Sequence, residues 1–195
     1  MAKKPTSKST NSGQVRIISG QWRSRKLPIH DLEGLRPTTD RVRETLFNWL
    51  ATDIRGARVL DCFAGSGALS LEALSRYASF AQILELQKNA AKQLQQNLTT
   101  LNCDNAVVTQ ADTLAFLTTA PTQAFDVVFI DPPFRKELAS KTIALIDQHQ
   151  WLNDEALIYV ETETELTSLA FPESWTQLKE KVAGQVTYRL FQYQA

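Results

Sequence analysis

Between Arg58 and Glu161, short apolar runs alternate with segments of crossover length, and no other feature of the sequence restricts the fold so tightly. The runs are Val59 to Phe63, Phe80 to Leu86, Ala106 to Thr109, Phe125 to Asp131 and Ala156 to Glu161. Helical patterns at Leu69 to Tyr77, Asn89 to Leu101, Thr113 to Thr119 and Glu137 to His149 separate them. Parallel neighbours need such crossovers, and apolar strands without alternation need cover on both faces. The rhythm then changes. Thr176 to Val182 and Gln185 to Tyr193 flank Ala183-Gly184 as an antiparallel hairpin would at a sheet edge. The expectation is an α/β, Rossmann-like domain over residues 58–195, with a mostly parallel seven-stranded sheet closed by an antiparallel C-terminal hairpin.

The segment upstream is different in character. Residues 1–14 carry three Lys and no apolar stretch, which reads as a disordered basic tail and not as a secretory signal, so a cytoplasmic location is expected. Residues 15–57 are expected to form a small extension. Val15 to Ile18 and Lys26 to Ile29 are β-prone runs around Ser19-Gly20, suited to an arm or hairpin. Pro37-Thr38-Thr39-Asp40 offers caps for a helix over 38–51, whose apolar stripe is Val42, Leu46, Trp49 and Leu50. Arg41, Glu44, Thr45 and Asn48 fall opposite, and Arg43 lies near the stripe's edge.

Composition narrows the classes. With 43% hydrophobic and 22% charged residues the chain is globular, and its apolar stretches, such as the one inside Ala124 to Ile130, are far short of the roughly 20 residues of a membrane span. Two cysteines, Cys62 and Cys103, and two histidines, His30 and His149, have no ligand spacing, so neither metal nor disulfide is expected. Net charge is zero, yet residues 1–58 hold 12 basic against 5 acidic residues, and residues 59–195 hold 9 against 16. A basic end beside an acidic body suits a polyanion. Arg16, Trp22, Arg23, Arg25 and Lys26 interleave cations with an aromatic, as a nucleic-acid surface does.

Ligands of open α/β sheets gather beyond the carboxyl ends of the strands. The first strand ends in Asp61-Cys62-Phe63-Ala64-Gly65-Ser66-Gly67, an acidic residue and a glycine turn opening a helix. The second ends in Glu85, placed to accept hydrogen bonds from ribose hydroxyls. Ser70 stands where a dinucleotide fingerprint wants a third glycine, and acidic ends on both strands favour a ligand with a cationic centre and an amino-acid tail, as S-adenosylmethionine has. The fourth strand ends in Asp131-Pro132-Pro133-Phe134. An exocyclic amine of a nucleobase is a poor nucleophile, because its lone pair is delocalised into the ring. Acceptors on both of its hydrogens draw it toward a reactive geometry. Asp131 and the Pro132 carbonyl are the candidates, Pro133 fixes the turn, and Phe134 would stack on an extruded base.

Asp61 to Gly67, Glu85 and Asp131 to Phe134 resemble motifs I, II and IV of the class I S-adenosylmethionine-dependent amino-methyltransferases. VRIISGQWRSRKLP, GLRPTTDRVRETLFNWL, LDCFAGSGALSLEALSRYA and EALIYVE narrow the resemblance to the bacterial RsmD-type 16S ribosomal RNA guanine-N2 methyltransferases, from about Val15 to Tyr193. The resemblance implies methylation of the N2 amine of guanine 966 in assembled or partly assembled small subunits, with no metal. It implies that Asp61, Phe63, Ala64, Gly65, Ser66 and Gly67 hold the methionine part, Glu85 the ribose and Asp112 the adenine amino group. Asp131, Pro132 and Phe134 would hold the target base. Arg16, Trp22, Arg23, Arg25 and Lys26 become an RNA-facing extension, while Arg36, Pro37, Thr38 and the face of Arg41, Glu44 and Asn48 line the cleft mouth. The chain departs from many relatives at Gln87, where they carry an acidic residue.

Three rival readings stay open at this point: a DNA adenine-N6 methyltransferase, a non-catalytic rRNA-binding assembly factor and an NAD-dependent oxidoreductase. The first usually needs an added recognition domain, for which about 58 N-terminal residues leave little room. A monomer is expected, since the sheet is covered.

Overall fold

The computed structural model describes residues 13–30 and 39–195. An arm made of β1 (Gln14–Arg16) and β2 (Lys26–Pro28) precedes α1 (Asp40–Trp49). Then β3 (Arg58–Asp61), α2 (Ala68–Ser75), β4 (Phe80–Glu85), α3 (Lys88–Thr100), β5 (Ala106–Gln110), α4 (Thr113–Leu117) and β6 (Phe125–Ile130) follow. The chain closes with α5 (Leu138–Gln148), β7 (Leu152–Glu163), β8 (Trp175–Ala183) and β9 (Val186–Tyr193).

The seven-stranded sheet runs β5-β4-β3-β6-β7-β9-β8. Pairings from β5 to β7 are parallel, and β7 with β9 and β9 with β8 are antiparallel. This is the sheet expected from the alternation, C-terminal hairpin included. Strand order reverses between β3 and β6, so their carboxyl ends, at Asp61 and Asp131, open the crevice where such sheets take ligands. The edge strand β8 is exposed over most of its length, carries Lys179, Glu180 and Lys181, and is bulged between Gln177 and Lys179.

Side chains split between the two faces by strand periodicity. Val59, Val127, Phe129, Leu157 and Tyr159 point to one cluster, which α1, α2 and α3 cover; Leu60, Val128, Ile130 and Ile158 point to the other, which α4 and α5 cover. Thr39 caps α1, accepting the N–H of Val42 through Oγ1. Trp49 of the expected stripe is only half-buried, whereas Phe47 and Arg43 are buried with Val42, Leu46 and Leu50. The helix sits rotated toward Phe47, whose ring meets Phe129 edge-on at 6.1 Å.

The arm docks on α2 through polar groups that the apolar pattern hides. Buried Glu72 accepts the N–H groups of Ile18 (2.7 Å) and Ser19 (3.0 Å) and pairs with Arg76 (2.8 Å). Ser75 Oγ donates to the Ser19 carbonyl and accepts from the Trp22 N–H, and Asn97 donates to the Pro28 carbonyl. Gly20 makes this contact possible: at φ +83° a Cβ there would lie 1.9 Å from the Ser75 carbonyl oxygen. Val15, Ile17 and Leu27 share the core of the sheet's α2 face.

Candidate active site

Three carboxylates mark the ends of adjacent strands: Glu85 on β4, Asp61 on β3 and Asp131 one residue past β6. The turn after β3 is tied to β4 twice. Ala64 donates its N–H to the Leu84 carbonyl, and Gly65 donates its N–H to Glu85 Oε2 at 2.8 Å. The other oxygen of Glu85 accepts the Gln87 N–H at 2.6 Å. With the Leu86 N–H as a third backbone donor, the carboxylate still keeps acceptor capacity for a hydroxyl.

Asp61 is buried and bonded to the Ser70 hydroxyl of α2. Burial pushes its pKa up to about 6 against the pull of Ser70 and the backbone N–H of Phe63, and the neighbouring Glu85 charge adds to the rise. Glu85 is likewise raised by burial. Among the described residues neither carboxylate has a Lys or Arg partner. Two buried carboxylates held short of neutralisation are suited to a cationic ligand, and S-adenosylmethionine, with a sulfonium and an ammonium, fits that requirement. Gly67 caps α2 in the left-handed region at φ +74°, and a Cβ there would lie 2.3 Å from Leu94 Cδ2 of α3. Glycine thus lets α2 start close against α3. Ser66 is half-buried, and Phe63 is half-buried against the α5 side of the sheet. Asp112 is the N-cap of α4, where its Oδ1 accepts the Ala115 N–H at 2.9 Å.

Ile130 pairs in register with Val160, and Asp131 and Glu161 are the next residues along their two chains. Pro132 is buried, Pro133 is exposed, and Phe134 is half-buried against the α1 side of the core. The turn that follows is anchored where Arg135 donates its N–H to Glu163. A cleft of about 390 Å³ opens there, lined by Phe134, Glu163, Thr164 and Gln185.

The structure adds residues that sequence reasoning passed over. Tyr159 donates its hydroxyl to Glu161 at 2.7 Å, both buried on the strand beside Asp131. Burial first, then the negative charges of Glu161 and Asp131, hold the Tyr159 phenol well above its usual range. The alternation identified this strand but not which of its positions face the cleft. Thr113, one residue after Asp112, bonds to the Cys62 carbonyl and ties the third crossover to the first turn.

Of the basic residues expected on the extension, Arg16, Arg23, Arg25, Lys26 and Arg41 are exposed, and Trp22 is half-buried against the core. Arg36, Pro37 and Thr38 lie outside the described residues. Arg43, near the stripe's edge by periodicity, is buried and paired with Asp40 at 2.5 Å. Asp40 also pairs with Arg16 at 2.6 Å.

The sequence and the fold are similar to those of known proteins. The family model described as conserved hypothetical protein 95 matches residues 15–192. The chain is 55% identical to ribosomal RNA small subunit methyltransferase D of Escherichia coli (strain K12), covering 99% of this chain and 96% of that one. It is 54% identical to the protein of the same name from Haemophilus influenzae, covering 92% and 94%. The solved structure of a putative methyltransferase from Escherichia coli superposes with a TM-score of 0.88 at 53% identity, covering 94% of this chain and 99% of that one. The protein belongs to the conserved hypothetical protein 95 family, that of the RsmD-type ribosomal RNA methyltransferases.

Proposed function

We propose that this protein transfers the methyl group of S-adenosylmethionine to the exocyclic N2 amine of guanine 966 of 16S ribosomal RNA. Its substrate would be the small subunit or an assembly intermediate, and it would act as a cytoplasmic monomer. The observation that carries the reading is the Asp131-Pro132 turn standing beside the Asp61 to Gly67 turn, at the point where strand order reverses. Near-full-length similarity to proteins named for ribosomal RNA methylation supports the RNA substrate.

S-adenosylmethionine supplies an electrophilic methyl group on a sulfonium. The chain's part is positioning and electrostatics. The turn of Asp61, Phe63, Ala64, Gly65, Ser66 and Gly67 holds the amino-acid tail, Glu85 accepts from the ribose, and Asp112 accepts from the adenine with the oxygen its cap leaves open. Asp131 and the Pro132 carbonyl accept the two N2 hydrogens while Phe134 stacks on the base. As the N–C bond forms the amine becomes acidic, and Asp131 receives its proton, while the cofactor would leave as a neutral thioether. Glu161, which accepts the Tyr159 hydroxyl, stands on the neighbouring strand beside Asp131. Arg16, Trp22, Arg23, Arg25, Lys26 and Arg41 would contact the RNA backbone, and Arg36, outside the described residues, is assigned the same role by its charge.

The test is tritium transfer from labelled S-adenosylmethionine to small subunits purified from cells lacking the enzyme, beside naked 16S RNA and DNA. N2-methylguanine at a single position is expected. Label in DNA adenine would favour the N6 reading, and no label anywhere would favour a binding factor.

A further inference from the structure

A cleft of about 600 Å³ lies on the arm side of the glycine turn, away from Asp131. Its walls include Arg16 and Lys26 of the arm, Asp40 and Arg43 of α1, and Ser66 and Ala68 at the start of α2. Arg43 is 3% exposed, and its Nε and Nη1 have no hydrogen-bond partner among the described residues. A guanidinium taken out of water with two of its nitrogens unmatched costs free energy, and native structures rarely leave such groups without a function. Asp40 satisfies Nη2 but is shared with Arg16, so among the described residues three cations in the cleft face one carboxylate. The start of α2 adds backbone N–H groups at the same wall.

We propose that Arg43, flanked by Arg16 and Lys26, binds a backbone phosphate of the RNA, fixing the strand beside the nucleotide that enters the active site. This rests on the RNA-methyltransferase reading above. A guanidinium donates strong charge-assisted hydrogen bonds to phosphodiester oxygens. The charge argues for RNA and against the cofactor's own carboxylate. The cofactor carries an ammonium and a sulfonium and is matched to the acidic wall at Asp61 and Glu85, whereas this cleft has a positive excess continuous with exposed Arg23 and Arg25. Periodicity alone makes Arg43 a packing residue at the edge of an apolar stripe. Its buried, unmatched nitrogens make it an anchor.

The experiment uses the full chain, Arg43→Met and Lys26→Gln, binding small subunits that lack the methyl mark over a series of KCl concentrations. Binding of S-adenosylhomocysteine is measured by calorimetry in parallel. Each variant is expected to bind subunits about tenfold more weakly, with a salt slope smaller by about 1, while S-adenosylhomocysteine affinity stays within about twofold. Unchanged subunit affinity and slope in both variants would overturn the proposal. So would a loss confined to S-adenosylhomocysteine, which would assign Arg43 to the cofactor carboxylate. Should Arg43→Met fail to fold, Lys26→Gln and Arg16→Gln decide at exposed positions, where an unaltered slope overturns the site. Wild-type protein that binds no subunit overturns the underlying reading too, whereas normal wild-type binding with unaltered variants overturns the phosphate site alone.

Discussion

Glu85 Oε2 accepts the backbone N–H of Gly65 at 2.8 Å, so the acidic end of β4 and the glycine turn after β3 form one unit. A carboxylate bound by two N–H donors resists replacement by its own amide. In Glu85→Gln the side-chain NH₂ must face either Gly65 or Gln87, donor against donor. We expect S-adenosylhomocysteine affinity to fall by tenfold or more, with stability lower by about 1–3 kcal/mol. Calorimetry and denaturant melts check this; an unchanged affinity would remove Glu85 from the site.

Asp61 gives the site a pH dependence with a definite sign. Its folded pKa, about 6, exceeds the ordinary value of 3.8, so the folded state holds its proton more tightly than the unfolded chain. The stabilisation is complete below about pH 4 and lost as pH rises through about 6, on the order of 2–3 kcal/mol in all. Glu85, raised in the same direction, adds to it. Asp61→Asn should flatten that part of the melting profile. A cationic ligand favours the ionised carboxylates, so wild-type affinity for S-adenosylmethionine should rise between pH 5 and 7. A flat affinity profile would mean that neither group senses the ligand's charge.

Docking of the arm depends on one buried carboxylate. Glu72→Ala strands the N–H groups of Ile18 and Ser19 and leaves Arg76 unpaired, at about 3–5 kcal/mol. Amide exchange at Ile18 and Ser19 should accelerate well before exchange in β3 or β6 does, and subunit binding should fall further than S-adenosylhomocysteine binding. Uniform acceleration across the sheet would show that Glu72 supports the whole fold and not the arm.

At Asp131 the chemistry separates accepting a hydrogen bond from accepting a proton. Asp131→Ala should lower methyl transfer by a factor of about 100 or more, as loss of a preorganised acceptor does. Asp131→Asn, which keeps a carbonyl oxygen, should retain more activity than the alanine variant, and both should bind S-adenosylhomocysteine normally. Equal turnover in all three proteins would refute the assignment.

The sheet was legible because apolar strands and crossover helices have different periods, and the strand ends named the cleft. Asp61, Glu85 and Asp131 could be read as end residues for the same reason. The orientation of α1 was not legible. Its stripe admits Trp49 or Phe47, and only the contact with Phe129 decides for Phe47, carrying Arg43 inward with it. Nor was the arm's attachment, since Glu72, Ser75 and Asn97 look like ordinary polar positions until the arm's backbone is laid against them. Tyr159 and Glu161 stayed hidden within a strand recognised only as apolar.

The outermost strand has a consequence for the protein at high concentration. An unpaired ladder edge invites a second chain to extend the sheet, but any strand approaching β8 must strip water from Lys179, Glu180 and Lys181 and match a ladder thrown out of step at Leu178. The bulge and the charges together keep the seven-stranded sheet from serving as a template for its own aggregation.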